Sequence, residues 1–162
     1  MSLFVIMGVS GCGKSTIAAE MARATGGEFL DADDFHPAAN KEKMAAGIPL
    51  QDEDRWGWLD VLNAELRSRK DNPQPTFLAC SALRRTYRDR LRKDLNTLSF
   101  VYLKGSKDLI RSRIESRAGH FMPPALLDSQ FMTLEEPTDE EALVLSINQS
   151  QKEIVSEFLR RT

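Results

Sequence analysis

Gly8-Val9-Ser10-Gly11-Cys12-Gly13-Lys14-Ser15 fits G-x-x-x-x-G-K-[ST] at every fixed position. The apolar run Leu3 to Met7 leads into it, as a buried parallel strand would. From Lys14 onward Ile17, Ala18, Met21 and Ala22 recur at helical spacing, and Gly26-Gly27 closes the helix. Strand, glycine-rich turn and helix in this order make a phosphate cradle. The glycines permit the turn and let backbone N–H groups approach phosphate oxygens, while the helix N-terminus adds its dipole. Lys14 then reaches the β- and γ-phosphates and the Ser15 hydroxyl serves Mg²⁺. In a chain of 162 residues such a match arises by accident roughly one time in two hundred. Gly8 to Ser15, with Thr16 beside them, are therefore assigned to a nucleotide, with Cys12 at a variable position.

Working outward, strands and helices alternate. Glu28-Phe29-Leu30 reads as a second strand, and Thr76 to Cys80, Leu98 to Leu103 and Leu143 to Ile147 as three more. Helical patterns run from Ala38 to Ala46, through Trp58, Leu59, Leu62 and Leu66, and from Arg84 to Asp94. Another follows the Ser106 cap with Leu109, Ile110 and Ile114 on one face, until Gly119 to Pro124 interrupt it. A capping box of Ser150 and Glu153 opens the last, with Ile154, Val155, Phe158 and Leu159. The alternation predicts an α/β fold, a parallel five-stranded sheet flanked by helices on both faces. With no repeat, linker or low-complexity tract, residues 1–162 read as one domain.

Composition narrows the function classes. At 41 % hydrophobic and 28 % charged residues the chain reads as globular. Lys and Arg number 22 against 24 Asp and Glu, a net charge of −2, which argues against a general nucleic-acid or lipid binder. No run approaches the ~20 apolar residues of a membrane span. The opening Met1 to Met7 lacks a basic region and reads as a strand, not a signal peptide. Two cysteines without metal or redox spacing suit a reduced, cytoplasmic protein.

Asp31, Asp33 and Asp34 follow the second strand, at the sheet edge where ligands gather. A carboxylate there can accept the proton of an attacking hydroxyl or hold the metal's water shell. Asp33 is assigned to the acceptor and Asp31 to magnesium; if the chain stays extended they face opposite ways. A GTPase reading fails, because Asn40-Lys41-Glu42-Lys43 lacks the aspartate of N-K-x-D. Asp54-Arg55-Trp56-Gly57 matches D-x-x-G but opens a helix. Arg113 and Arg117 share a helix face just before the glycine-interrupted segment, where a closing arginine stabilises a transferring phosphoryl group.

Taken in order, these residues resemble the gluconokinases. The resemblance runs through Met7 to Ser15, Leu30-Asp31-Ala32-Asp33, Phe35-His36-Pro37, Asn40, Lys43-Met44, Gly47-Ile48-Pro49-Leu50, Asp52 and Asp54-Arg55. It continues in Trp58-Leu59, Cys80-Ser81-Ala82-Leu83, Tyr87-Arg88-Asp89, Tyr102-Leu103-Lys104-Gly105 and Gly119-His120-Phe121. The matches span about residues 3–135, and the tail is looser.

The resemblance implies a three-layer, shikimate-kinase-like P-loop kinase fold using ATP and Mg²⁺. Its reaction would move the γ-phosphoryl group to the 6-hydroxyl of D-gluconate, giving 6-phosphogluconate. Residues 36–70 would form a substrate-binding helical segment and 118–130 a lid. Arg117 would face the phosphates and Arg113 the adenine. Ser81 stands where related nucleotide kinases carry an aspartate after the third strand, which leaves Asp31 as the acidic partner for magnesium. Gluconate offers one carboxylate and several hydroxyls, so its site needs a cationic clamp among polar groups. The candidates are Arg55, Arg84, Arg88, Lys41, His36 and His120, with Arg84 and Arg88 expected on one helix face; Trp56 and Trp58 read as packing. A kinase for another polyol acid such as shikimate, a nucleotide kinase and a nucleotide-driven regulator stay open, as does a homodimer.

Overall fold

Five parallel strands, β1 (Leu3–Met7), β2 (Glu28–Asp31), β3 (Thr76–Ala79), β4 (Leu98–Lys104) and β5 (Ala142–Ser146), lie in the order β2-β3-β1-β4-β5. The structure, a computed structural model, describes residues 3–116 and 124–162. Helices are α1 (Lys14–Thr25), α2 (Ala38–Ala45), α3 (Asp52–Arg67), α4 (Arg85–Leu91), α5 (Lys107–Ser116), α6 (Pro124–Thr133) and α7 (Gln151–Arg161). The α/β sheet expected from the alternation is therefore present, strand for strand.

Side-chain alternation divides the core. Leu3, Val5 and Met7 of β1 join Leu78 and the α3 residues Leu59, Leu62 and Leu66 on one face. Ile6 points the other way, with Phe77, Ile17 and Met21 of α1, and Ile154 and Phe158 of α7. Both faces are buried, which is why the strands read as continuous apolar runs.

Element ends differ from the sequence reading by a residue or a turn. The third strand stops at Ala79, although the Cys80 amide still donates to the Ile6 carbonyl at 3.1 Å. The fifth is Ala142–Ser146, one residue earlier than expected. The helix expected over Arg84 to Asp94 is shorter, because Arg84 is an extended N-cap and Asp94 turns the chain at φ 60°. The main omission is α6. It occupies the second half of the expected lid, and its Leu127 is buried in the core. Residues 117–123, which carry Arg117 and His120, lie outside the described residues.

Candidate active site

The phosphate loop joins β1 to α1 at the carboxyl edge of the sheet. Gly13 caps α1 in the left-handed region, φ 91° and ψ 17°, which a side chain would strain. A Cβ at Gly8 would lie 3.1 Å from the Leu103 carbonyl oxygen and 2.7 Å from Cys12 Sγ, so the loop closes only on glycine. Val9 and Cys12 turn inward and are buried. Burial pushes the Cys12 thiol up, against the opposing charge of Lys14, and keeps it protonated. The Gly8 amide donates to the Ser81 carbonyl at 3.3 Å, fastening the loop to the end of β3. On its outer side Gly11, Gly13 and Thr16 meet Arg113, Ser116 and Gln149 around an open cleft of about 430 Å³. Arg113 is thus brought beside the loop.

A second cleft, of about 370 Å³, opens on the inner side of Lys14 and Ser15 and also contains Asp31, Asp33, His36 and Arg55. Asp31 and Asp33 do not face opposite ways, because the strand ends there. Asp31 caps a 3₁₀ turn, Ala32–Phe35, and its Oδ1 accepts the Asp33 amide at 3.0 Å. Its Oδ2 accepts from the Ser15 hydroxyl at 3.3 Å. These adjacent hard oxygens suit Mg²⁺, which takes few protein ligands and keeps phosphate oxygens and waters. Among the described residues the Asp33 carboxylate has no side-chain partner, so it faces the cleft free to accept a proton.

His36 is held by two neighbours. Its ring stacks on Trp58 at 4.2 Å and 14°, and the Trp58 indole N–H donates to the Ala32 carbonyl at 2.8 Å. Trp58 is therefore a wall of the cleft rather than packing alone. Asn40 Nδ2 lies 2.9 Å from the Asp54 carbonyl oxygen, which can only accept, and 3.3 Å from His36 Nδ1. Nδ1 must then accept, and the ring proton sits on Nε2. Desolvation lowers the His36 pKa; the charge of Asp33 opposes this, and those of Lys41 and Arg55 reinforce it. Stability contributed by neutral His36 is complete above its unfolded value near 6.5 and is lost as pH falls below it. Asn40→Asp removes the donor and adds a negative charge, so the His36 ring should titrate at higher pH. NMR titration of the ring across pH 5 to 8 measures this, and an unmoved midpoint would show that Asn40 does not hold Nδ1.

Arg55 enters the cleft from the first turn of α3. Its Nη1 lies 3.4 Å from both Asp52 Oδ1 and the Tyr87 hydroxyl, and Tyr87 donates to the same Asp52 oxygen at 2.7 Å. That hydrogen bond, more than the nearby Arg84 and Arg55 charges, holds the Asp52 carboxyl below its usual range. Among the described residues Nε and Nη2 of Arg55 have no partner, which leaves a fork for a carboxylate. Lys41 and Arg84 are exposed and stand outside the cleft lining. Arg84 caps α4 instead of belonging to it, so the helix face it was expected to share with Arg88 does not exist.

Arg88 is corrected outright. It is only 1 % exposed and spends all five donors inside the protein. Nε and Nη2 hold Glu141 at 3.1 and 3.2 Å, Nη1 reaches the Ala82 and Leu83 carbonyls at 2.8 and 3.3 Å, and Nη2 reaches Glu135 O at 2.9 Å. It fixes the loop after β3, where Ala82 holds a left-handed φ of 47°, at a cost of about 1–2 kcal/mol for a non-glycine residue. No N–H of Arg88 is left to donate to a ligand oxygen.

Sequence reasoning missed Tyr87 as a cleft residue and the whole α6 wall, Leu126, Ser129, Gln130 and Thr133. The i, i+3, i+4, i+7 spacing of those four, after a proline suited to a helix start, was the available signal.

Comparison with known proteins agrees with this geometry. The AAA domain family model AAA_33 matches residues 3–137. The thermoresistant gluconokinase of Escherichia coli is 45 % identical over 156 residues, 95 % of this chain and 89 % of that protein. The crystal structure of a gluconokinase from Sinorhizobium meliloti 1021 superposes with a TM-score of 0.87 at 42 % identity, covering 98 % of this chain and 90 % of that one. Shikimate kinase from Aquifex aeolicus shares the fold, with a TM-score of 0.61 at 13 % identity, over 98 % of this chain and 94 % of that one. A phosphate loop beside a cleft lined by carboxylates, on this fold and at this identity, makes the chain a P-loop kinase that belongs to the gluconokinase family.

Proposed function

We propose that the protein transfers the γ-phosphoryl group of ATP to the 6-hydroxyl of D-gluconate, giving 6-phospho-D-gluconate. The observation that carries this is the inner cleft, where the Asp33 carboxylate and the fork of Arg55, unpartnered among the described residues, share one space with Lys14 and Ser15. An acid with a terminal hydroxyl answers both. Arg55 pairs with its carboxylate, and the Nε2–H of His36 donates to a chain hydroxyl. Asp33 orients the 6-hydroxyl and takes its proton late in a loose transfer.

Lys14 and the loop amides hold the phosphates in line, and Arg113 serves the nucleotide on the outer side. Ser15 and Asp31 would hold Mg²⁺, which when bound neutralises charge between the β- and γ-phosphates. Arg117 and His120 belong to the segment proposed as a lid, 118–130 with its preceding arginine. The part of it before α6 would cover the cleft and exclude water as a competing acceptor, α6 itself being packed against the core. Residues 36–70 form the acceptor segment. No helix among the described residues is long and apolar enough to cross a membrane, and two buried free cysteines suit a reducing cytoplasm.

ADP release from ATP–Mg²⁺ with D-gluconate, shikimate, other sugar acids or no acceptor tests the reading, with Lys14→Ala as control. Turnover with gluconate alone supports it; turnover with shikimate, or none that depends on an acceptor, refutes it. Arg55→Gln should raise KM for gluconate about tenfold or more and leave kcat within a few-fold, as expected for a lost charge-assisted hydrogen bond. A fall in kcat at unchanged KM would remove Arg55 from carboxylate binding.

A further inference from the structure

Gln130 projects from α6 to the phosphate loop, where its Oε1 accepts the Ser10 backbone N–H at 2.6 Å. A backbone N–H can only donate, so the carboxamide orientation is settled: oxygen on the loop, nitrogen away from it. Among the described residues that nitrogen, with two donors, has no partner. Gln130, Ser10, Lys14 and Ser15 all line the inner cleft. Lys14 serves the β- and γ-phosphates, so the free donors of Gln130 share the cleft with the group that is transferred.

The helix beneath is firmly held. Leu127 is buried in the core, the Glu135 amide donates to the Leu83 carbonyl at 2.7 Å, and Lys107 pairs with Asp128 at 3.1 Å. A donor set on a packed helix keeps its aim, unlike one on a loop. We infer that Gln130 is a γ-phosphoryl-binding residue, with its oxygen locked on the Ser10 amide and its nitrogen donating to a γ-phosphate oxygen. The inference rests on the phosphoryl-transfer reading but not on the identity of the acceptor.

The test is calorimetric and needs no acceptor. Affinities for Mg–ADP and for the magnesium complex of the β,γ-imido analogue of ATP are measured on the wild type and on Gln130→Met, which is similar in length but can neither donate nor accept strongly. The triphosphate analogue should bind about tenfold or more weakly while ADP affinity stays within about twofold, the loss expected for one hydrogen bond to a charged oxygen. Equal losses for both nucleotides would reduce Gln130 to a loop scaffold. Tighter triphosphate binding would make it a competitor for the Ser10 amide, and unchanged binding would leave it no role; each overturns the inference. Failure of the gluconate assay leaves this nucleotide comparison intact, so the two readings fail separately.

Discussion

Asp33→Asn should lower kcat by about 10²-fold or more while nucleotide affinity stays near the wild-type value. The substitution keeps the size of the side chain and its place on the 3₁₀ turn, since the Asp33 amide, not its side chain, binds Asp31. What it removes is the proton acceptor. In a loose transfer the hydroxyl proton leaves late, so the loss falls on turnover more than on binding. Single-turnover assays with saturating gluconate, alongside ADP calorimetry, separate the two. Full turnover in the variant would take Asp33 out of the mechanism and leave Asp31 as the remaining carboxylate of the cleft.

Arg88→Met should produce the largest loss of stability of any single substitution near the site, about 3 kcal/mol, the lower end for breaking a buried ion pair. The lower end applies because Glu141 keeps Arg92, whose Nη2 lies 2.5 Å away. Three carbonyls, of Ala82, Leu83 and Glu135, lose their donor at the same time. For a domain of this size the melting temperature should fall by roughly 10 °C, measured by calorimetry or circular dichroism. Burial alone would raise the Glu141 pKa, but the Arg88 and Arg92 hydrogen bonds hold it below the usual range. The stability this contributes is complete above the unfolded value near 4.5 and is lost as pH falls through the lower folded value, so the gap between variant and wild type should narrow in acid. A constant gap down to pH 3 would mean that packing, not charge, carries the effect.

The architecture was legible in the sequence because its strands are buried on both faces and read as unbroken apolar runs between turn signals. The nucleotide loop was legible because its chemistry demands fixed residue types at fixed spacing. Arg88 was not, because a guanidinium reads the same whether it meets a ligand or five internal acceptors. The placement of Asp33 beside Asp31 depended on where β2 stops, and alternation along a strand carries no information about its last residue. Trp58 looked like packing because an indole on a helix usually is; its stacking on His36 depends on a turn about twenty residues upstream. The helix that carries Gln130 left a periodic signal, but the contact of Gln130 with the loop did not, for a related reason. Its partner is a backbone amide 120 positions away, and backbone amides leave no mark in a sequence.

The two clefts are built from opposite layers of the sheet. The outer one leans on α1, α5 and α7, whereas the acceptor pocket draws His36, Arg55, Trp58 and Tyr87 from the α2, α3 and α4 side. Changes in the second layer leave the first one's packing untouched, and distant sites of this kind act additively. The fold can therefore exchange its choice of acceptor in descent without renegotiating its grip on the nucleotide. The two inheritances are tied together where Ser15 meets Asp31, where the Gly8 amide meets Ser81, and where α6 reaches over to the loop.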